Sequence, residues 1–489
     1  MTVAGTAAAP RTVVPSVEGG VWDLLVVGGG TAGLVGARTA ASFGASVLLV
    51  EKDRTGGDCL WTGCVPSKAL LAAASAAADA RGAGRLGVHV DGVRVDFAAV
   101  LAHVHGAIAT IEPVDSPETL RRAGVQVAHG TVRFTGPGSA EVDGTAVGFR
   151  QALVATGSNP AVPPIPGLRE AAPLTSDTVW DLTELPDRLV VLGGGTIGCE
   201  LGQAFTRLGS TVTIVEAVDR LLANEDPDAA RLVTEALTQD GAAVLTGAPV
   251  AAVEGADVVL EGGRRVPADV VLVALGRRPD SADLDLEAAG VEVDGRGFVV
   301  VDSHLRTTNP RIWAAGDVTG HPQFTHVAGV HGSTAASNAV LGLRRSAEVT
   351  AVPRVTYTSP EVAAVGVGVD EPGVTVRTLH HDDVDRAVAE GRTAGFARLV
   401  LDRRGRVVGA TVVGPRAGET LAELTLAVRH GLKAQDLAST MHPYPTWGDG
   451  PWNAAIADVR SRLAAPTTRR ATRTLAALRR HWLDRRRPG

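Results

Sequence analysis

Runs of apolar positions broken by glycine clusters set the first expectation. Val21 to Val27 is a largely apolar stretch of strand length that runs into Gly28-Gly29-Gly30-Thr31-Ala32-Gly33, then an alanine-rich helical segment, then a second apolar run, Ala45 to Val50, ending at Glu51. Near-continuous apolar runs suit strands buried on both faces, and strand, helix, strand in this order is a βαβ unit. The pattern recurs as Arg188 to Leu192, Gly193-Gly194-Gly195-Thr196-Ile197-Gly198, a helix, Thr211 to Val215 and Glu216. In each copy the acid follows the last glycine by eighteen residues, and the copies stand 165 positions apart. Between them, Ser67 to Ala80 and Phe97 to Ile111 read as helices, followed by short alternating strands up to Ala155-Thr156-Gly157-Ser158-Asn159-Pro160. From about Val352 the texture changes to alternating strands, such as Val355 to Thr358 and Phe396 to Val400, with a helix over Ala417 to His430. The expected fold is α/β, with two Rossmann-like dinucleotide-binding domains and a C-terminal α+β domain.

The glycine loops say what such units hold. Gly28 allows the tight turn, Gly30 lets backbone approach a pyrophosphate, Gly33 lets helix and strand pack closely, and Glu51 accepts from a ribose hydroxyl. Gly193, Gly195, Gly198 and Glu216 repeat the set, so two dinucleotides are expected in one chain. Glu216 repels a 2′-phosphate, which favours NADH, although Arg220 stands near enough to take one and leaves NADPH possible. Asp317, at the tip of the apolar run Ile312 to Gly316, can hold a sugar-like hydroxyl or simply close a turn. Gly57, Asp58, Gly157 and Gly276 complete the candidate cofactor-binding residues.

Length and charge narrow the class. At 489 residues the chain exceeds a single core and divides into several domains. A net charge of −6 gives no overall pull toward nucleic acid or anionic membrane. The first twenty residues lack the basic start and apolar core of a signal peptide and read as a flexible leader, and no uninterrupted apolar run suits a membrane span. Three cysteines are too few for a secreted disulfide scaffold, so a reactive pair in the reducing cytoplasm is expected. Beyond Ala465 lies a tail with eight arginines and one aspartate, with Leu475, Leu478, Trp482 and Leu483 among them. It reads as a solvated helix, or else as a dock for an acidic partner or a membrane surface.

The chemistry is expected at Gly56-Gly57-Asp58-Cys59-Leu60-Trp61-Thr62-Gly63-Cys64-Val65-Pro66-Ser67-Lys68, which holds two of the three cysteines and one of the three lysines. Five residues of regular helix rise about 7.5 Å, more than a disulfide usually tolerates, so joining Cys59 and Cys64 needs a bent segment. Gly63 permits the bend, and Pro66 suits the first turn of the helix that follows. That places Cys64 at a helix N-terminus, where backbone donors and the dipole favour a thiolate. Two buried cysteines acting as small hydrophobes is the alternative. No metal is expected, since the chain has no second cysteine pair and no Cys/His group at ligand spacing.

Together these features resemble the flavin-dependent pyridine nucleotide-disulfide oxidoreductases, the family of dihydrolipoamide dehydrogenase, glutathione reductase and mercuric reductase, over roughly Val21 to Ala465. CLWTGCVPSK is similar to the family's redox motif, with Trp61 in place of its usual asparagine. The resemblance implies FAD on the first glycine motif and on Asp317, the nicotinamide cofactor on the second, and a redox-active Cys59–Cys64 disulfide. Cys64 would face the flavin and Cys59 the substrate, with Lys68 paired to Glu200 beside the flavin. Cys199 reads as a packed core thiol. The implied division is a leader at 1–20, FAD-binding segments at 21–162 and 286–351, an NAD(P)-binding domain at 163–285, a dimerisation domain at 352–465 and the basic tail at 466–489.

One departure concerns the proton. Disulfide reductases of the family carry His-Pro-Thr and then an acid near the C-terminus, and here Tyr444 takes the histidine's place and Asp449 the acid's. A phenol with a pKa near ~10 is poorly matched to moving protons at neutral pH. Mercuric reductase has a tyrosine in its corresponding segment, and Asp115 to Glu118 also resembles mercuric reductase-like sequences, yet no cysteine follows Cys199 to form that enzyme's C-terminal pair. His442 can partly supply the missing acid–base group. The expected enzyme is a homodimer with Tyr444 reaching the partner subunit, passing electrons from NADH to a quinone, a metal ion or a specialised disulfide. The alternatives are dihydrolipoamide dehydrogenase itself and a redox-sensing flavoprotein that binds a partner through its tail.

Overall fold

The computed structural model describes residues 14–255 and 257–486, which form two compact units. The first begins with β1 (Val21–Val27), α1 (Thr31–Ser42), β2 (Val47–Glu51), α2 (Gly57–Trp61) and α3 (Cys64–Gly82). α4 (Phe97–Asp115), α5 (Pro117–Arg122), β3 (Val125–His129), β4 (Val132–Gly136), β5 (Ser139–Val142), β6 (Thr145–Val154), β7 (Ser158–Pro160) and β8 (Leu174–Thr175) follow. Then come β9 (Arg188–Leu192), α6 (Thr196–Leu208), β10 (Thr211–Val215), α7 (Pro227–Asp240), β11 (Ala243–Leu245), β12 (Val250–Glu254), β13 (Asp257–Leu260), β14 (Arg265–Val266), β15 (Val270–Val273) and β16 (Arg277–Pro279). β17 (Ile312–Ala314) and α8 (Thr325–Leu341) complete it, while most of α7 belongs to the second unit.

Two sheets with parallel cores carry this unit. The first runs β3-β2-β1-β6-β5-β4, with β17 added on β6, and its β3, β2, β1, β6 and β17 are parallel. Its registers pair Val27 with both Val50 and Val154, so Gly28, Glu51 and Ala155 leave the sheet along one edge. The second runs β11-β10-β9-β15-β8, and there Leu192 pairs with Val215 and Val273, bringing Gly193, Glu216 and Ala274 to the equivalent edge. In open parallel sheets that carboxyl edge is where ligands bind. The core strands read apolar at nearly every position because both faces are covered: Leu24, Leu25 and Val26 of β1 are fully buried.

Of the expected leader, residues 14–20 are described, and Val14 and Val17 lie half-buried against the first sheet's core; the earlier positions are outside the described residues. Phe97–Arg122 is, among the described residues, the one helical stretch whose length and composition would let it cross a bilayer. In the structure it breaks at Ser116, whose hydroxyl accepts from Thr119 N, and it turns Phe97, Leu101, Val104 and Ile108 into the protein.

The second unit is built on the antiparallel sheet β18 (Arg354–Thr356), β19 (Glu361–Gly366), β22 (Val407–Gly414), β21 (Phe396–Leu401) and β20 (Thr375–His380), in that spatial order. α9 (Asp385–Glu390), α10 (Ala417–His430), α11 (Ala434–Ser439) and α12 (Asp449–Ala464) accompany it. Leu399, Val412, Leu421 and Leu424 are at its core. α13 (Pro466–Asp484) follows α12 and buries no residue.

Candidate active site

Why α2 stops and α3 starts anew is local. Thr62 N and Gly63 N both donate to Asp58 O, at 2.9 and 2.5 Å, which closes the first helix early. A Cβ on Gly63 would sit 2.9 Å from that same oxygen, so only glycine makes the bend without a shift. Trp180 Nε1 holds the bend from outside, donating to Thr62 O at 2.8 Å. α3 then opens at Cys64.

The bend sets the two sulfurs against each other. Both thiols are free, and they share a hydrogen bond. Cys64 Sγ also lies 3.2 Å from Thr325 Oγ1 at the start of α8. The bond from Cys59, helped by Thr325 and by the charge of Lys68, outweighs burial and pulls the Cys64 thiol from the ordinary value near 9 to about 6. The same bond, with burial, pushes Cys59 far up, so the pair holds one proton on Cys59 at neutral pH. Lys68 Nζ is fixed 2.9 Å from Glu200 Oε2, and the Glu200 side chain is only 5% exposed. Cys199 is fully buried, donates to Gly194 O at 3.3 Å and is pushed up by burial.

A pH profile follows from this. Alkylation of the reduced protein by iodoacetamide should fall on Cys64 first, with a rate that climbs through a midpoint near pH 6. Thr325→Val should move the midpoint upward. A midpoint at the ordinary thiol value near 9 would show that the hydrogen bonds do not act as described.

The glycine loops suit dinucleotides. Gly28 (φ +101°) and Gly193 (φ +108°) would each put a Cβ within 2.5 Å of a neighbouring carbonyl, that of Ala155 or Ala274. Gly33 and Gly198 would each put one 1.9 Å from the carbonyl oxygen of Gly28 or Gly193. The middle glycines differ: at Gly195 an added Cβ meets nothing within 4 Å, and at Gly30 it meets only Gly57 Cα, at 3.9 Å. The protein leaves that space clear at the N-termini of α6 and α1, where the backbone N–H groups and the helix dipole favour a phosphate. Glu51 Oε2 accepts from Gly29 N at 2.6 Å, and Glu216 Oε2 from Gly194 N at 2.7 Å, so each acid steadies its own loop.

The remaining cofactor candidates meet at a residue that sequence reasoning passed over. Arg277 Nε donates to Ser158 Oγ at 2.7 Å and lies 3.9 Å from Asp317 Oδ2, while its Nη2 pairs with Asp58. Asp317 Oδ2 also accepts from Ser158 Oγ at 2.7 Å. Burial raises the pKa of Asp58, partly against the Arg277 charge. Gly57 (φ +60°) packs on Gly30, and Gly157 (φ +75°) and Gly276 (φ +105°) turn with open space before them.

In the second unit the three acid–base candidates do not form a chain with one another. Tyr444 is 68% exposed and donates to Asp385 Oδ2 at 2.5 Å. His442 stacks on Trp452, and its Nε2 is 3.0 Å from Glu423. Asp449 is buried; its Oδ2 accepts from Thr446 N at 3.0 Å and its Oδ1 has no partner.

Comparison with known proteins gives a consistent picture. The family model described as pyridine nucleotide-disulphide oxidoreductase matches residues 22–332, and its dimerisation domain matches 352–455. The chain is 38% identical over 442 residues to mercuric reductase of Bacillus cereus, spanning 88% of this chain and 70% of that one. It is 34% identical over 464 residues to dihydrolipoyl dehydrogenase of Chlamydia muridarum, spanning 92% and 99%. Among solved structures, LpdA from Mycobacterium tuberculosis superposes with a TM-score of 0.82 at 30% identity, over 89% of this chain and 99% of that one.

Proposed function

The chain belongs to the pyridine nucleotide-disulphide oxidoreductase family, and from that premise we propose that it carries electrons from NADH through Cys59 and Cys64 to an acceptor that needs little proton transfer. Members of the family are FAD-dependent and use NAD(P)H, and the dimerisation domain supports a homodimer. The observation behind the reading is the Cys64 thiol, drawn to about 6 at the head of α3 by Cys59, Thr325 and Lys68.

Bound FAD supplies two-electron transfer between nicotinamide and sulfur. The residues do the rest. Gly28, Gly30, Gly33 and Glu51 hold the FAD with Gly57, Asp58, Gly157 and Asp317, and Arg277 ties Asp58 to Asp317 across the site. Gly193, Gly195, Gly198 and Glu216 hold the nicotinamide dinucleotide, the Glu216 carboxylate favouring NADH over NADPH. Lys68, braced by Glu200, keeps positive charge beside the Cys64 thiolate. Cys59 keeps its proton and meets the acceptor; loss of two electrons and the remaining proton joins the sulfurs as a disulfide, which NADH then reopens. The domain division follows the same roles: 21–162 and 286–351 for flavin, 163–285 for nicotinamide and 352–465 for dimerisation.

The acceptor is a quinone, a metal ion or a specialised disulfide, in the manner of a mercuric reductase without a C-terminal cysteine pair. Tyr444 reaches the partner subunit's disulfide in the dimer. Its bond to Asp385 raises the phenol's pKa further, so it holds its proton firmly. Tyr444→His should therefore raise turnover with a small disulfide such as lipoamide by about tenfold or more, measured as NADH oxidation. No gain with any small disulfide counts against the assignment. A cytoplasmic location suits a thiol pair that has to cycle.

Anaerobic titration of the holoprotein with NADH tests the whole reading. Two-electron uptake with a long-wavelength thiolate-to-flavin absorbance is expected, and Cys64→Ser should lack that absorbance. The likeness to dihydrolipoyl dehydrogenase supports a second reading, which predicts rapid NADH formation from dihydrolipoamide.

A further inference from the structure

The segment 466–489 carries a charge of +7, whereas the whole chain stands at −6, so the remaining residues hold −13. Positive charge is thus gathered into one helix of an otherwise acidic protein. α13 places Ala471, Leu475, Leu478 and Trp482 at intervals of four, three and four, a single narrow stripe along one face. The stripe is open: Leu475, Leu478 and Trp482 are 65%, 61% and 40% exposed. Arg469, Arg473 and Arg480 fall on the opposite face. Arg479 and Arg486 flank the stripe, each guanidinium carbon 4.1 Å from the Trp482 ring centroid.

Opposite charges one turn apart stabilise a solvated helix, and like charges there destabilise it. Here Arg469 and Arg473, four apart, repel along the polar face, and Asp484 is the one acid in the segment. A plane of negative charge over a shallow apolar layer relieves both costs at once: it takes the leucines and the indole on one side and the guanidiniums at their flanks. We infer that α13 lies in the surface of an anionic lipid bilayer and holds the protein there as a peripheral membrane enzyme.

The test uses the full-length holoprotein and sedimentation with vesicles of phosphatidylcholine alone or with about one-third phosphatidylglycerol. Binding to the anionic vesicles is expected, with affinity for phosphatidylcholine alone about tenfold weaker or worse and with at least tenfold loss at high salt. Deletion of residues 466–489 should abolish it without changing acceptor turnover in solution. Leu475→Ser with Leu478→Ser, which leaves every arginine in place, should weaken it about tenfold. Equal binding to both vesicle types, or anionic binding that survives the deletion, overturns the inference. So does tail-dependent capture of polyglutamate, or tail-dependent association of the protein with its own copies, when the anionic vesicles are left unbound.

Discussion

Cys64→Ser is expected to lower NADH-driven acceptor reduction at least ~1,000-fold while leaving fold and flavin content intact. The reason is specific to this sulfur. Cys64 is the thiol drawn to about 6, whereas Cys59 is pushed up by the bond the two share, so a single proton sits on Cys59 and the thiolate of the pair is Cys64. Serine keeps the shape but ionises far above neutral pH, and Cys59 is left with no second sulfur to join, because Cys199 is fully buried against Gly194. Cys59→Ala should also block turnover yet leave the Cys64 thiolate present, its pKa displaced upward by loss of the bond from Cys59. Comparing alkylation midpoints in the two variants separates the roles. Activity that survives Cys64→Ser with the natural acceptor would mean that electrons leave without passing through this pair.

What could be read from the chain depended on how local the cause was. The βαβ units were legible because strand pattern, glycine loop and acid all lie within about thirty residues, and each constraint acts on its own neighbours. The bend before Cys64 was legible for the same reason, since Gly63 answers to Asp58, five residues away. Arg277 was not. It stands 219 positions from Asp58, and beside it Arg278 looks the same in sequence. Only the pairing of β16 with β7, Arg277 opposite Pro160 and Pro279 opposite Ser158, turns Arg277 inward and leaves Arg278 exposed. Thr325 is another such case, 261 positions from the sulfur it meets and marked only by its place at the start of α8. In the second unit, Tyr444 and Asp449 are neighbours in sequence, yet the phenol finds Asp385, 59 residues away. At Phe97–Arg122 the limit is of another kind, since length and apolar content do not say whether protein or lipid covers a face.

Gly195→Ala is expected to weaken NADH binding about 10- to 100-fold with the fold untouched and the flavin retained. The residue is the N-cap of α6 at φ −76° and ψ −173°, a conformation alanine adopts freely, and the added methyl meets no protein atom within 4 Å. Nothing in the protein therefore demands glycine there; on the proposed function the demand comes from a pyrophosphate seated on the backbone N–H groups of the helix. Gly198→Ala behaves differently. Its Cβ would fall 1.9 Å from Gly193 O, a backbone atom, so α6 itself has to move. Because Glu200 rides on the same helix and braces Lys68 at 2.9 Å, that displacement should also disturb the charge beside Cys64 and raise its alkylation midpoint. The two variants thus predict a split: lost NADH affinity with an unchanged Cys64 midpoint for Gly195→Ala, and both altered for Gly198→Ala. Should Gly195→Ala bind NADH normally, the loop at Gly193 to Gly198 is not where the pyrophosphate rests, and the assignment of the second sheet's carboxyl edge to the nicotinamide cofactor fails with it.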